Sequence, residues 1–342
     1  MDDFLLEKYS RQILFEGIGL TGQQRLLASS AVVAGCGAIV AAAANLRVRA
    51  GVGRIRIVDR DFVEPSNLQR QTLFDESDAR EALPKAVAAE RKLRAINSGI
   101  SVEGLVADIN PGNVAELLNN FDLILDGTDN FETRFLINDF AVKSGKTWIY
   151  AAAVASYGLT MAIQPGKSAC LACLLEGADS VTGVEDTCDT IGVVGPIVNL
   201  IASMQIAEAM KLLSGNEEAL HGRLISSDVW TCHFQSIKVE RNADCRCCVR
   251  HDFSYLEGQA QPHITMCGRD SVQIHEHNRA LDLDSLQQRL SRTVTAMRHN
   301  DFLLRFRVAP YEMTVFSDGR AIVKGTTDPA VARSLYARYV GA

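Results

Sequence analysis

Short runs of uninterrupted apolar residues alternate along most of the chain with segments of helical spacing, the pattern of a largely parallel sheet wrapped by helices. Ala31-Val32-Val33-Ala34 predicts a buried strand that runs into Gly35-Cys36-Gly37. The Ala-rich residues 38–50 favour helix, and Arg54-Ile55-Arg56-Ile57-Val58-Asp59 predicts the next strand, which completes a βαβ unit. The pattern continues with a helix around 84–96, a strand at 101–106, a helix at 111–119, a strand over 121–125, and strands at 147–152 and 158–164. Upstream, residues 4–28 read as two amphipathic helices, with Leu5, Leu6, Tyr9, Ile13 and Leu14 near helical spacing. Residues 174–190 are small, polar and acidic, and read as a mobile surface loop. Gly195-Pro196 then opens a long apolar helix that Gly215 can end.

Past Cys248 the texture changes. Residues 249–263 are polar, contain Gly258 and Pro262, and read as a linker; strand, helix, strand, hairpin and helix candidates follow over 264–342. Ser317-Asp318-Gly319 between two apolar runs is the hairpin signal. The expected fold is therefore α/β: a doubly wound, Rossmann-like, mostly parallel sheet with helices on both faces over 1–248, plus a small C-terminal α+β domain. There is no internal repeat.

Composition narrows the classes. With 342 residues, 47% hydrophobic and 22% charged, the chain fits an ordinary globular protein. A net charge of −6 offers no overall attraction to nucleic acid or anionic lipid, so neither is an expected partner. The start, MDDFLLEKYSRQI, lacks a signal-peptide pattern, and the apolar segments are too short or interrupted to span a bilayer, so a cytoplasmic location is expected. Nine cysteines in such a chain point to metal ligation or thiol chemistry rather than disulfides.

A glycine turn between a strand and a helix brings backbone N–H groups close to phosphate, and Gly35 and Gly37 supply one. Val40 stands where a dinucleotide fingerprint has its third glycine. Asp59, at the end of the second strand, is placed to accept from a ribose; these features alone leave a dinucleotide and ATP equally open. Arg70 and Lys85 add donors and positive charge suited to a triphosphate, and the Asp129 carboxylate suits Mg²⁺, although each residue singly also reads as a solvated surface charge. Cys170-Leu-Ala-Cys173 and Cys245-Arg-Cys247-Cys248 can each grip one zinc with two thiolates, and Cys170, Cys173, Cys245 and Cys248 together would fill a closed structural Zn²⁺ site with Cys247 as the spare. Cys188 precedes the long helix, where a thiolate is favoured; Cys36 and Cys232 read as core.

Taken together, Tyr9-Ser-Arg11-Gln12-Ile13, Gly35-Cys-Gly37, Ser66-Asn67-Leu-Gln-Arg70-Gln71, Asp126-Gly-Thr-Asp129-Asn130, Gly192-Val-Val-Gly-Pro196 and both cysteine pairs resemble the ThiF, MoeB and HesA family, relatives of the ubiquitin-activating enzymes, from about residue 8 to 248. Residues 264–342 look like the tail of ThiF-type proteins of some Gram-positive bacteria. The resemblance implies a homodimer that adenylates the C-terminal Gly-Gly carboxylate of a ubiquitin-like sulfur-carrier protein with ATP and Mg²⁺, for thiamine thiazole or molybdopterin formation, with a cysteine desulfurase or other sulfur donor as a further partner. It places Gly35, Gly37, Ala38, Asp59, Ser66, Asn67, Arg70, Gln71, Lys85 and Asn130 around ATP, Asp129 on magnesium and Arg11 in the neighbouring subunit's site. Cys188 matches a loop cysteine that can bond covalently to the carrier. Two rival readings remain: an NAD-dependent oxidoreductase, which leaves Arg70, Lys85 and the cysteines unexplained, and a zinc-stabilised module that docks a carrier but has lost ATP through Val40.

Overall fold

The computed structural model describes residues 1–175, 191–258, 265–266, 271–274, 281–317 and 319–341, which divide into two units, Met1–Ala260 and Gln261–Ala342. In the first unit the fully apolar runs become the inner strands of an eight-stranded sheet, because a strand covered on both faces needs apolar residues at every position. β1 (Ser30–Ala34), β2 (Arg54–Asp59), β3 (Ser101–Val106), β4 (Leu123–Asp126) and β5 (Trp148–Val154) run parallel; β6 (Tyr157–Ile163), β7 (Leu224–Asp228) and β8 (His233–Ile237) continue antiparallel, giving the order β3-β2-β1-β4-β5-β6-β7-β8. Val33 faces one core with α4 (Ala38–Ala50) and α6 (Lys85–Ile96), while Val32 faces the other with α7 (Val114–Leu118) and α8 (Phe131–Ser144). α10 (Gly195–Leu213) packs on α4, β5 and β6.

The mostly parallel sheet with helices on both faces matches the expected architecture, and five elements go beyond it: α5 (Glu76–Glu81), α8, α9 (Leu171–Leu175), β7 and β8. The N-terminal segment forms three short helices rather than two, namely α1 (Asp3–Lys8), α2 (Ser10–Ile13) and α3 (Gly19–Ala28). The break falls at Tyr9, whose buried hydroxyl accepts from Asn97 Nδ2 at 3.0 Å. Leu14 and Phe15, past the end of α2, remain exposed. The polar loop expected at 174–190 begins inside α9, and residues 176–190 lie outside the described residues. Among the described residues no helix is long and apolar enough to cross a membrane.

The second unit is a six-stranded antiparallel sheet in the order β11-β12-β13-β14-β10-β9, built from β9 (Thr265–Met266), β10 (Ser271–Ile274), β11 (Thr295–His299), β12 (Leu303–Val308), β13 (Tyr311–Phe316) and β14 (Ala321–Lys324). α11 (Leu283–Leu290) and α12 (Pro329–Tyr339) cover one of its faces through Leu283, Leu286, Leu290, Ala332 and Tyr336. β13 and β14 form the expected hairpin, with Met313 opposite Val323; Asp318 in its turn lies outside the described residues.

Candidate functional site

The carboxyl ends of β1, β2 and β4 meet at the point where a doubly wound sheet opens a crevice for ligands. Gly35 takes the left-handed region at φ 86°, its N–H donates to Val58 O at 2.8 Å, and a Cβ there would lie 2.6 Å from Gly127 O. Gly37 caps the N-terminus of α4, so the first-turn N–H groups of that helix, beginning at Ala38, open beside the turn. Val40 is fully buried and seats against the loop after β4: a Cβ on Gly127 would stand 2.0 Å from Val40 Cγ2. The side-chain volume missing at position 127 thus accommodates the valine where a third glycine was expected, and the turn keeps its close approach.

Beside this turn lies an acidic and basic network. Asp59 Oδ1 accepts from Asp61 N at 2.6 Å, and Oδ2 accepts from Cys36 N, which ties the end of β2 to the glycine turn. Burial pushes the Asp59 carboxyl up to about 6; Asp61 adds to this, while Lys85 and the two backbone N–H groups oppose it. Lys85 is buried, its ammonium 3.1 Å from Asp61 Oδ2. Arg60 pairs with Asp108 at 2.7 Å and approaches Asp61 at 4.0 Å. Burial works against the charge of Arg60, but Asp108, Asp61 and Asp129 outweigh it and raise its pKa. Lys85 and exposed Asp129 therefore belong to one field, linked through Asp61 and Arg60.

The segment after β2 supplies further groups. Asn67 Oδ1 accepts from Glu64 N at 3.0 Å, while the buried Asn67 Nδ2 and Gln71 Oε1 have no hydrogen-bond partner among the described residues. Such groups are costly unless something outside the chain meets them. Arg70 donates to Ser66 O at 2.7 Å. Asn130 Oδ1 caps α8 by accepting from Thr133 N at 2.8 Å, so its side chain serves the helix that carries the site loop. Arg11 is exposed on α2. Cys188 lies outside the described residues, as does Cys267.

Four participants were not among the sequence candidates: Arg60, Asp61, Asp108 and Arg134. Arg134, on α8, sits 3.1 Å from Asp126 Oδ2, and no local spacing marks a pair that meets across a turn eight residues long.

The two cysteine pairs come together. The Sγ atoms of Cys170, Cys173, Cys245 and Cys248 all lie within 4.8 Å of one another, with 3.8 Å for Cys170–Cys173, 3.6 Å for Cys170–Cys245 and 3.5 Å for Cys173–Cys248. Four sulfurs about 2.3 Å from a central zinc would be about 3.8 Å apart, so the donor set fits a tetrahedral metal. Asn138 and Asp139 of α8 hold the knuckles in place: Asn138 Oδ1 accepts from Leu171 N at 2.9 Å, and Asp139 pairs with Arg246 at 3.3 Å. Cys247 stands outside the set, its sulfur accepting from Asn138 Nδ2 at 3.2 Å. Cys36 is core, as expected, whereas Cys232 is exposed in the turn between β7 and β8 at φ 55° and is corrected from core to surface.

Residues 9–247 match the sequence profile of the ThiF family. The chain is 42% identical over 338 residues to the "Sulfur carrier protein ThiS adenylyltransferase" of Bacillus subtilis, covering 98% of this chain and 99% of that protein. It is 34% identical to the "Molybdopterin-synthase adenylyltransferase" of Escherichia coli over 72% of this chain and 98% of that one. Among solved structures, E. coli MccB with ATP superposes with a TM-score of 0.60 at 23% identity, over 70% of this chain and 74% of MccB, a likeness of fold.

Proposed function

The chain belongs to the ThiF family, and from that premise we propose that it transfers the adenylyl group of ATP to the C-terminal carboxylate of a ubiquitin-like sulfur-carrier protein ending in Gly-Gly, releasing pyrophosphate. One observation carries this reading: the glycine turn, buried Asp59, the Lys85–Asp61 pair, and Asn67 Nδ2 and Gln71 Oε1, unpartnered among the described residues, all gather beyond the same strand ends, in a chain 42% identical over nearly its whole length to a protein named for that reaction.

In the mechanism, Asp59 accepts from the ribose hydroxyls, and the N–H groups at Gly37 and Ala38 meet the phosphates. Asn67 and Gln71 provide a donor and an acceptor left unmet among the described residues. Arg70 can exchange its bond to Ser66 O for a phosphate oxygen, and Lys85, poised on Asp61, offsets the charge of the departing pyrophosphate. The carrier carboxylate, already ionised, attacks the α-phosphorus; the bond to the pyrophosphate oxygen breaks, leaving an acyl-adenylate. No general base is needed, since the chemistry rests on positioning and charge neutralisation. The Asp129 carboxylate suits Mg²⁺, which when bound shields the triphosphate; a single protein carboxylate plus phosphate oxygens is the usual donor set for that ion. Zn²⁺ on Cys170, Cys173, Cys245 and Cys248 is structural, since a four-thiolate site leaves no open position for substrate.

The active form is a cytoplasmic homodimer in which Arg11 reaches the other subunit's phosphates. Exposed Leu14, Phe15 and Leu46, and a groove lined by Gln12, Leu46, Ile206 and Met210, offer apolar surface for pairing. The carrier is of the thiazole-forming kind, because the 42% identity extends through the C-terminal unit; a cysteine desulfurase or other donor then supplies sulfur, with Cys188 available to hold the carrier covalently. Carrier-dependent exchange of labelled pyrophosphate into ATP tests the reading: Asp129→Ala is expected to abolish it, and exchange that persists in that variant defeats the assignment.

A further inference from the structure

Asp126, the last residue of β4, is completely buried, and both its carboxylate oxygens are engaged. Oδ1 accepts from Thr128 N at 2.9 Å and Thr128 Oγ1 at 2.7 Å. Oδ2 accepts from Arg134 Nε at 3.1 Å and Ala151 N at 3.4 Å. Arg134, one helical turn into α8, turns back over the same loop: it donates to Thr128 O at 2.7 Å and to Ala151 O at 3.3 Å. Thr128 is therefore clasped from both sides, through its N–H and hydroxyl by Asp126 and through its carbonyl by Arg134. The next residue is Asp129, and the one after it caps α8.

We infer that Arg134 is a positioning residue: with Asp126 it fixes the loop that carries the carboxylate of Asp129, so that it sets the affinity of the nucleotide site for its divalent cation. This rests on the adenylylation reading above. Three features separate the assignment from a purely structural ion pair. The clasp closes on the peptide adjoining Asp129 and ties it to the backbone of Ala151 in β5. The guanidinium lies over the rings of Phe131 and Tyr150, at 5.3 and 5.5 Å, which fixes its plane. Asp129 is also one of the negative charges that Arg134 feels. Outer partners that orient a metal-binding carboxylate change metal affinity by about 10- to 100-fold when removed.

The test uses the full-length protein with a non-hydrolysable ATP analogue and reads Mn²⁺ binding by electron paramagnetic resonance, with calorimetry of the analogue in the absence of metal as the control. Arg134→Gln is expected to weaken Mn²⁺ binding in the ternary complex by about tenfold while metal-free analogue binding changes less than about twofold. Arg134→Lys keeps the charge but cannot span Asp126 and Thr128 O together, and should fall between. Thr128→Val leaves the ion pair intact and removes only the hydroxyl bond to Asp126, so it carries the test if Arg134→Gln does not fold, with an expected weakening of about threefold. Equal Mn²⁺ affinity in the variants and the wild type overturns the inference, as does an equal loss of analogue and Mn²⁺ binding, which would mark a merely structural residue. A wild-type protein that binds no analogue overturns this inference and the functional reading together; unshifted variants of a binding-competent protein overturn this one alone.

Discussion

Substituting Val40 and Gly127 tests how the glycine turn is built. Gly127 does not have a positive φ, so its backbone would accept alanine; only space forbids it, with Val40 Cγ2 at 2.0 Å, Val40 Cβ at 2.8 Å and Gly35 O at 2.9 Å from the added methyl. Gly127→Ala alone is overpacking of a rigid site and should destabilise by about 2–3 kcal/mol. Val40→Gly alone removes three buried carbons at about 0.8 kcal/mol each and places glycine inside a helix at about 1 kcal/mol more, a total of about 3 kcal/mol. The double variant removes both valine contacts but not the one to the Gly35 carbonyl, so it should be destabilised by at least about 1 kcal/mol less than the sum, without returning to wild type. Urea unfolding of the four proteins supplies the cycle, and ATP titration should show Gly127→Ala losing affinity that the double variant partly regains. Additivity within about 0.5 kcal/mol would refute the packing argument.

Other outcomes follow from separate parts of the structure. Cys173→Ser should lower bound zinc from about one per chain to near none and reduce the melting temperature by about 5–10 °C, measured by elemental analysis and calorimetry; a fully folded wild type without zinc would contradict the site. The Asp59 carboxyl, raised to about 6 by burial, is ionised above that pH and protonated below it, so its contribution to ribose binding is present at pH 7.5 and lost as pH falls through 6. The ratio of wild-type to Asp59→Asn affinity for ATP should therefore shrink toward one by pH 5, a comparison that cancels the titration of ATP itself. If Arg11 acts across a dimer, mixing inactive Arg11→Ala and Asp129→Ala chains should restore about a quarter of wild-type exchange, since half the mixed dimers' sites are intact; no recovery after verified mixing would place Arg11 elsewhere.

Much of this was legible in the sequence wherever one side of an element makes a uniform demand. Ala31–Ala34 of β1 and Leu123–Leu125 of β4 must be apolar because both faces are covered, and the glycine turn and Asp59 follow directly from β1 and β2. α8 was hidden because it buries Arg134, Asn138 and Asp139 along with its apolar residues, erasing the stripe that periodicity detects. Those buried polar groups are the ones that clasp the site loop and brace the cysteine knuckles. β8 was hidden for the opposite reason, since all five of its residues are exposed and nothing alternates. The cysteine pairs gave the donor set but not its closure, which depends on the sheet bringing residues 75 apart in sequence within 3.6 Å. Val40 read as a defect because its compensation lies at Gly127, on another strand's loop.

The fate of the carrier's C-terminus tests the adenylylation most directly. Incubating the purified chain with ATP, Mg²⁺ and a thiazole-type sulfur carrier, followed by intact-mass spectrometry, should show the carrier heavier by one adenylyl group located on its terminal glycine. A carrier lacking that glycine should stay unmodified. An unchanged full-length carrier in the presence of bound ATP, or modification at any other residue, would contradict the central claim.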